Sequence, residues 1–172
     1  MEKKPMPALL GALILLIINI IYTCVIYFGK LQENTAMKVV SWIILIGGIA
    51  FFVVKYGKDK DDNITFGSLF GYGFKITAML ALFYIGFMLV WFTIFPEFKE
   101  QLFQIAENEA RKSQKGGSAE DMQKGIDIFR RLFWVFMIGG ILFAFAISGA
   151  IGALIGAGIA KKNPRVYHED SL

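Results

Sequence analysis

Residues 132–160 read LFWVFMIGGILFAFAISGAIGALIGAGIA, a run without one charged side chain. Within it Ala144, Ser148, Gly152, Gly156 and Ala160 follow each other at every fourth position. Residues four apart stack on one face of a helix, so this face is nearly bare backbone. Gly149, Ala153 and Ala157 widen the stripe on the neighbouring row. Inside a bilayer, helices associate through close packing rather than through the hydrophobic effect, and small residues permit the closest approach. The run therefore reads as a membrane-spanning helix built to pack tightly on another helix. The favoured partners are the first two spans of the same chain, and a second copy of the chain is the alternative.

Working outward, three more apolar regions have the length a bilayer demands of a helix. Ala8–Phe28 is the first, preceded by the basic leader MEKKPMP. A secretory signal is the competing reading, but no small-x-small cleavage site follows and the run is too long. Ile21-Tyr22-Thr23-Cys24 is only superficially like a lipoprotein acylation site, because Tyr22 is bulky and the apolar run continues to Phe28. Gly29 is placed to end this helix. Met37–Val54 is the second span, with Lys38 and Lys55 at its ends.

The third region is divided. Residues 64–75, ITFGSLFGYGFK, intersperse Gly67, Gly71 and Gly73 among aromatics, and 76–95 is an uninterrupted span closed by Pro96. As one helix the region would measure about 48 Å, longer than the ~30 Å hydrocarbon core. An interfacial start over 64–75 is therefore expected, with Lys75 near the headgroups. Between Pro96 and Arg131, Phe98, Leu102, Ile105 and Ala106 share a helical face, and Gly116-Gly117 interrupts the pattern. Ser118 looks like the N-cap of a second helix through Met122, Ile126 and Phe129. The expected fold is all-α: a polytopic membrane protein, 1–172 as a single membrane domain. It has four spans near 8–28, 37–54, 76–95 and 132–160, with an extramembrane helical hairpin over 96–131.

Composition agrees with this class. The chain has 172 residues, 56% of them apolar, with 17 Phe and 18 Gly, and its charges lie in blocks between the apolar runs. The net charge of +4 is dispersed, and no dense basic patch interleaved with aromatics suggests a nucleic-acid partner. Four spans put both termini on one side. Lys and Arg are almost evenly divided between the two sides, so the basic leader decides, and it favours cytoplasmic termini. The hairpin then lies outside the cytoplasm.

Residues able to carry chemistry are few. Every Asp and Glu falls outside the expected spans, which leaves no intramembrane carboxylate for proton or ion coupling. Lys75 is the one basic residue well inside an apolar region, favoured as a snorkelling anchor, with a lipid contact as the sharper reading. Asn19 sits mid-span and is expected to make an interhelical hydrogen bond. Cys24 is the sole cysteine, and His168, the sole histidine, lies in the polar tail. They form neither a nucleophile–base pair nor a metal set, and no cofactor is expected. Ser148 belongs to the packing ladder. Asp59, Asp61 and Asn63 have a fragment of calcium-loop spacing without the remaining ligands, so a solvated turn is expected. The glycines at 67, 71 and 73 lack the Lys-Ser/Thr of a phosphate loop.

Several short features, in order, resemble a known family. They are the apolar first span, Ile64-Thr65-Phe66-Gly67 with Gly73-Phe74-Lys75 after it, and Pro96-Glu97-Phe98. The helical polar insert and a Gly-rich last span ending at Lys161-Lys162 complete the set. The chain resembles the four-span bacterial proteins called domain of unknown function 4199, found largely in Bacteroidota. That resemblance implies an inner-membrane location and supplies no activity and no catalytic residues.

The expected function is accordingly that of a non-catalytic integral membrane protein. It would act through helix packing and partner docking in an envelope assembly, with membrane lipid, a second copy or an envelope protein as partner. A small transport or channel component formed on oligomerisation, and lipid handling at 64–75, are the alternatives.

Overall fold

The computed structural model describes residues 5–60, 64–113 and 119–160, and among these the chain is helical throughout apart from short connections. Helix α1 (Ala8–Phe28) begins after Pro7, whose extended backbone cannot continue a helix upstream. It ends on Gly29, yet the left-handed residue of the cap is Lys30, at φ 53°, and Leu31 N–H returns to the Ile26 carbonyl at 3.0 Å. Helix α2 (Thr35–Asp59) is capped by Asn34, whose side chain accepts from the Ala36 and Met37 amides. It continues beyond the expected Val54 because Gly57 is buried against Leu69 and Ala160, which keeps the last turn in contact with the bundle.

Helix α3 (Phe66–Ile94) is capped by the Thr65 hydroxyl, which accepts from Ser68 N–H. It carries residues on both sides of Lys75 in one unbroken helix, where two pieces were expected. Leu69, Tyr72 and Gly73 are buried in the bundle, so its first turns pack as part of the same element. Phe95 alone separates α3 from α4 (Pro96–Ser113), which starts on a proline, the residue best suited to a first helical position. Helix α5 (Ala119–Arg131) and helix α6 (Phe133–Ile159) complete the described residues and are separated only by Leu132. The expected Ser118 cap, the Gly116-Gly117 turn, Lys3, Lys4, Asp61, Asn63, Lys161, Lys162 and His168 lie outside the described residues.

Helices α1, α2, α3 and α6 are long and apolar enough to cross a membrane. Helix α6 packs on α2 and α3, while α1 lies against α3 and more sparingly against α2. The expected packing of α6 on span two is present, but α3 stands where span one was expected. The reason is that α3 supplies its own small surface: a Cβ on Gly73 would stand 2.7 Å from the Ala153 Cβ, and one on Gly149 would collide with Thr77. One row of α6 small residues therefore closes on α2 and the neighbouring row on α3.

The termini side and the hairpin side are each tied down. Met6 N–H donates to Asp59 at 3.4 Å, and the Tyr72 hydroxyl donates to the Met6 carbonyl at 3.0 Å. At the opposite end Gln32 meets Gln101 at 2.9 Å, joining the α1–α2 connection to α4. The foot of the hairpin rests on a second apolar cluster that includes Trp91, Phe92, Phe98, Phe103 and Phe133. Lys99 Nζ lies 5.1 Å from the ring centre of Phe133, 5.6 Å from Phe103 and 5.8 Å from Trp134. These cation–π contacts fasten α4 to the start of α6. Arg130 bridges to Glu107 at 2.9 Å and covers the Phe103 ring, joining the two arms.

Candidate functional site

The small-residue ladder is used in two ways along its length. At its lower end Gly152 and Gly156 bring two backbones together. A Cβ on Gly152 would stand 2.7 Å from the Ile46 carbonyl oxygen, and one on Gly156 2.8 Å from that of Ala50. Ala160 is buried beside Gly57. Helices that cross at an angle separate on either side of their closest approach. Above Gly152, α2 buries no residue before Leu45. Ser148 and Ala144, the upper rungs of the ladder, stand in the wall of a cavity.

The cavity has a volume of about 310 Å³. Asn19, Tyr22 and Thr23 reach it from α1, and Ser41, Trp42 and Leu45 from α2. Tyr84 and Met88 of α3 and Phe145 of α6 supply the far wall, while Phe98 of α4 adds a contact from the hairpin. Trp42 is 42% exposed, so the α2 side of the hollow forms an open rim on the outside of the bundle. Polar groups at this depth of a membrane bundle are costly unless partnered, so their convergence on one hollow marks it as the candidate site.

Their partners are defined. Asn19 Nδ2 donates to the Leu15 carbonyl at 2.8 Å, within its own helix rather than across to another as expected. Because a carbonyl can only accept, this bond fixes which end of the amide is nitrogen. Thr23 Oγ1 donates to the Asn19 carbonyl at 2.9 Å, and the Tyr84 hydroxyl lies 3.1 Å from Thr23 Oγ1. The Tyr22 hydroxyl donates to the Met37 carbonyl, linking α1 to the top of α2. Ser41 donates to Lys38, and Ser148 to Ala144, each within its own helix. Asn19 is 92% buried (8% exposed), and its Oδ1 has no hydrogen-bond partner among the described residues.

Chemically, this arrangement offers apolar walls with a small set of fixed polar atoms. Among the described residues no group of three or more His, Cys, Asp and Glu side chains is placed to hold a metal ion. Lys75 lies apart, exposed on the outer side of α3 next to Phe74. There Phe66, Phe70 and Phe74 stack at 6.4 and 6.3 Å between ring centres, an aromatic strip along the outer face. Sequence reasoning found Asn19, Ser148 and Lys75 but not Tyr84, Thr23 or Ser41. The available signal was the pair Asn19 and Thr23, four positions apart on one face of an otherwise apolar helix.

No curated protein and no solved structure matches this chain. A family model does, over residues 11–162, a range that reaches into all four spans and includes the hairpin and every residue lining the cavity. The chain therefore belongs to the family described as Protein of unknown function (DUF4199), as its short motifs suggested.

Proposed function

We propose that this multi-pass membrane protein is non-catalytic and works by binding a membrane-soluble ligand in the cavity between α1, α2, α3 and α6. The observation that carries this reading is the convergence of Asn19, Thr23 and Tyr84 on one hollow of about 310 Å³ that is open at the Trp42 rim. Pockets of about this size, mostly apolar with a few placed polar groups, suit small amphiphiles. Catalysis finds no support: the Ser148 hydroxyl is turned onto its own helix, with no hydrogen-bonded base among the described residues. The small-residue ladder serves this function by fixing α2 to α6 below the cavity. We place the protein in the cytoplasmic (inner) membrane with both termini cytoplasmic, as the basic leader before α1 favours. Lys75 and the adjoining Phe strip would touch the lipid on the termini side.

The test is native mass spectrometry of protein released from its own membranes. A bound mass is expected on the wild type and not on Leu45→Phe, which fills the hollow. Absence of any retained ligand from both would remove the reading. A second reading, docking of an envelope partner on the hairpin, is favoured by the apolar groove between Phe103, Ala106, Met122 and Ile126. A groove between two helices suits an amphipathic helix. Crosslinking from Gln104, exposed on α4, to a single envelope protein would support it.

A further inference from the structure

A second hollow, of about 440 Å³, lies outside the spans, between the α1–α2 connection and α4. It stands at the hairpin-side membrane surface. Lys30 closely follows the end of α1, and only about 8 Å of helix separates Gln101 from Pro96, where α4 leaves α3. Lys30, Gln32 and Glu33 form one wall, and Gln101, Gln104 and Asn108, on one face of α4, form the other. Gln32 Nε2 donates to Gln101 Oε1 at 2.9 Å and holds the two walls together. Lys30 stands at φ 53°, a left-handed backbone that strains every residue but glycine and a few small polar ones, although Gly29 beside it is right-handed. Side chains held on such backbone cluster where ligands are clamped.

Lys30 and Glu33 carry opposite charges in the same wall, yet neither forms an ion pair with the other or with any other described residue. The Gln104 and Asn108 amides make no hydrogen bond to a described residue, so each offers donors and an acceptor. We infer that this hollow binds the zwitterionic head group of an ethanolamine phospholipid, with Lys30 on the phosphate and Glu33 on the ammonium. A purely anionic head group would satisfy Lys30 but face Glu33, with Glu97 and Glu100 one turn before Gln101 and Gln104 adding to the repulsion. A purely cationic ligand would meet Lys30. Methylation of the ammonium, as in choline, removes its three N–H donors and with them the bonds to Glu33 and the amide oxygens. For the acyl chains, Phe28 at the end of α1 is 67% exposed, its ring centre 6.1 Å from that of Phe95. This site is distinct from the cavity within the bundle and does not depend on what that cavity holds.

The test is native mass spectrometry of the full chain in detergent, titrated with phosphatidylethanolamine, phosphatidylcholine and phosphatidylglycerol of identical acyl chains. Phosphatidylethanolamine should bind saturably and about tenfold tighter than either, the effect of one charge-assisted hydrogen bond. Glu33→Gln should bring phosphatidylethanolamine down to the affinity of phosphatidylcholine. Lys30→Gln should weaken both lipids by a similar factor and leave their ratio in place. Both side chains are exposed, so the fold should survive either change, which elution volume and helix content check. Lys55→Gln, exposed near the far end of α2, should alter neither affinity. Equal affinity of the wild type for phosphatidylethanolamine and phosphatidylcholine would overturn the inference, as would a preference that survives Glu33→Gln. Tighter binding of phosphatidylglycerol would overturn it as well. Soluble glycerophosphoethanolamine binding as tightly as the lipid would overturn the lipid as occupant and assign the hollow to a free solute.

Discussion

Replacing Gly152 with alanine tests the central packing contact with the smallest possible perturbation. The added methyl would stand 2.7 Å from the Ile46 carbonyl oxygen and 3.0 Å from the Ile49 Cβ. Backbone cannot swing aside as a side-chain tip can, so α2 and α6 must part by about 0.7 Å to restore ordinary contact. A gap of that order forfeits roughly a quarter to a half of the dispersion attraction of each contacting pair on either side of the site. Overpacking of this kind costs about 1–3 kcal/mol. Against it stands the removal of a helix-interior glycine, which contributes about 0.5–1 kcal/mol in favour of the variant. Gly139 on the same helix has nothing within 4 Å of its missing Cβ, so Gly139→Ala keeps the gain without the clash. The difference between the two variants isolates the packing cost, about 1–3 kcal/mol. Thermal denaturation in detergent, read as the folded fraction retained on size exclusion, should place Gly152→Ala several degrees below Gly139→Ala. A Gly152→Ala protein as stable as Gly139→Ala would refute the close-approach account. The larger Gly152→Ile change should lower stability without altering oligomer size, because the face it disrupts is engaged within the chain.

Other perturbations have equally definite outcomes. Arg130→Ala removes a partly exposed ion pair and its cover over Phe103, so the cost is small, about 0.2–1 kcal/mol. Hydrogen exchange should quicken in α4 and α5 and stay unchanged in the four spans. Tyr72→Phe deletes one hydrogen bond to the Met6 carbonyl while sparing the ring that stacks on Tyr56 at 3.9 Å. A loss of about 0.5–1.5 kcal/mol is expected, with faster proteolysis at Met6; unchanged proteolysis would count against the strap. In a Cys24→Ser background, Lys58→Cys and Gln104→Cys should label from opposite faces of sealed vesicles. Labelling of Lys58→Cys only from inside right-side-out vesicles would support cytoplasmic termini.

The spans were legible because each is an apolar run of bilayer length, a signal that needs no knowledge of tertiary contacts. The ladder was legible for the same reason, being a period within one helix. Its partner was not, since that depends on what Gly73 and Thr77 of α3 present to Gly149 and Ala153, a complementarity spread over two distant segments. The left-handed cap at Lys30 was hidden because Gly29, the residue suited to it, stands one position earlier. The cavity was least visible of all. Ser41, Tyr84 and Ser148 each look like a lone polar residue in an apolar run, and the Asn19–Thr23 pair on α1 does not say what it faces. Only the packing of four helices, which composition does not specify, brings them around one space.

The three rings around Lys99 have an implication for anything that approaches the hairpin. A helical pair on a loose tether would sample many heights and rotations above the bilayer, and an approaching molecule would have to arrest all of them. Here α4 is joined to α3 by one residue, α5 to α6 by one residue, and the base is clamped at Phe133 and Trp134. The orientational entropy that binding ordinarily removes has largely been given up during folding. An encounter with this hairpin is therefore a search in two dimensions, along the plane of the membrane, for a surface whose tilt and elevation are already set.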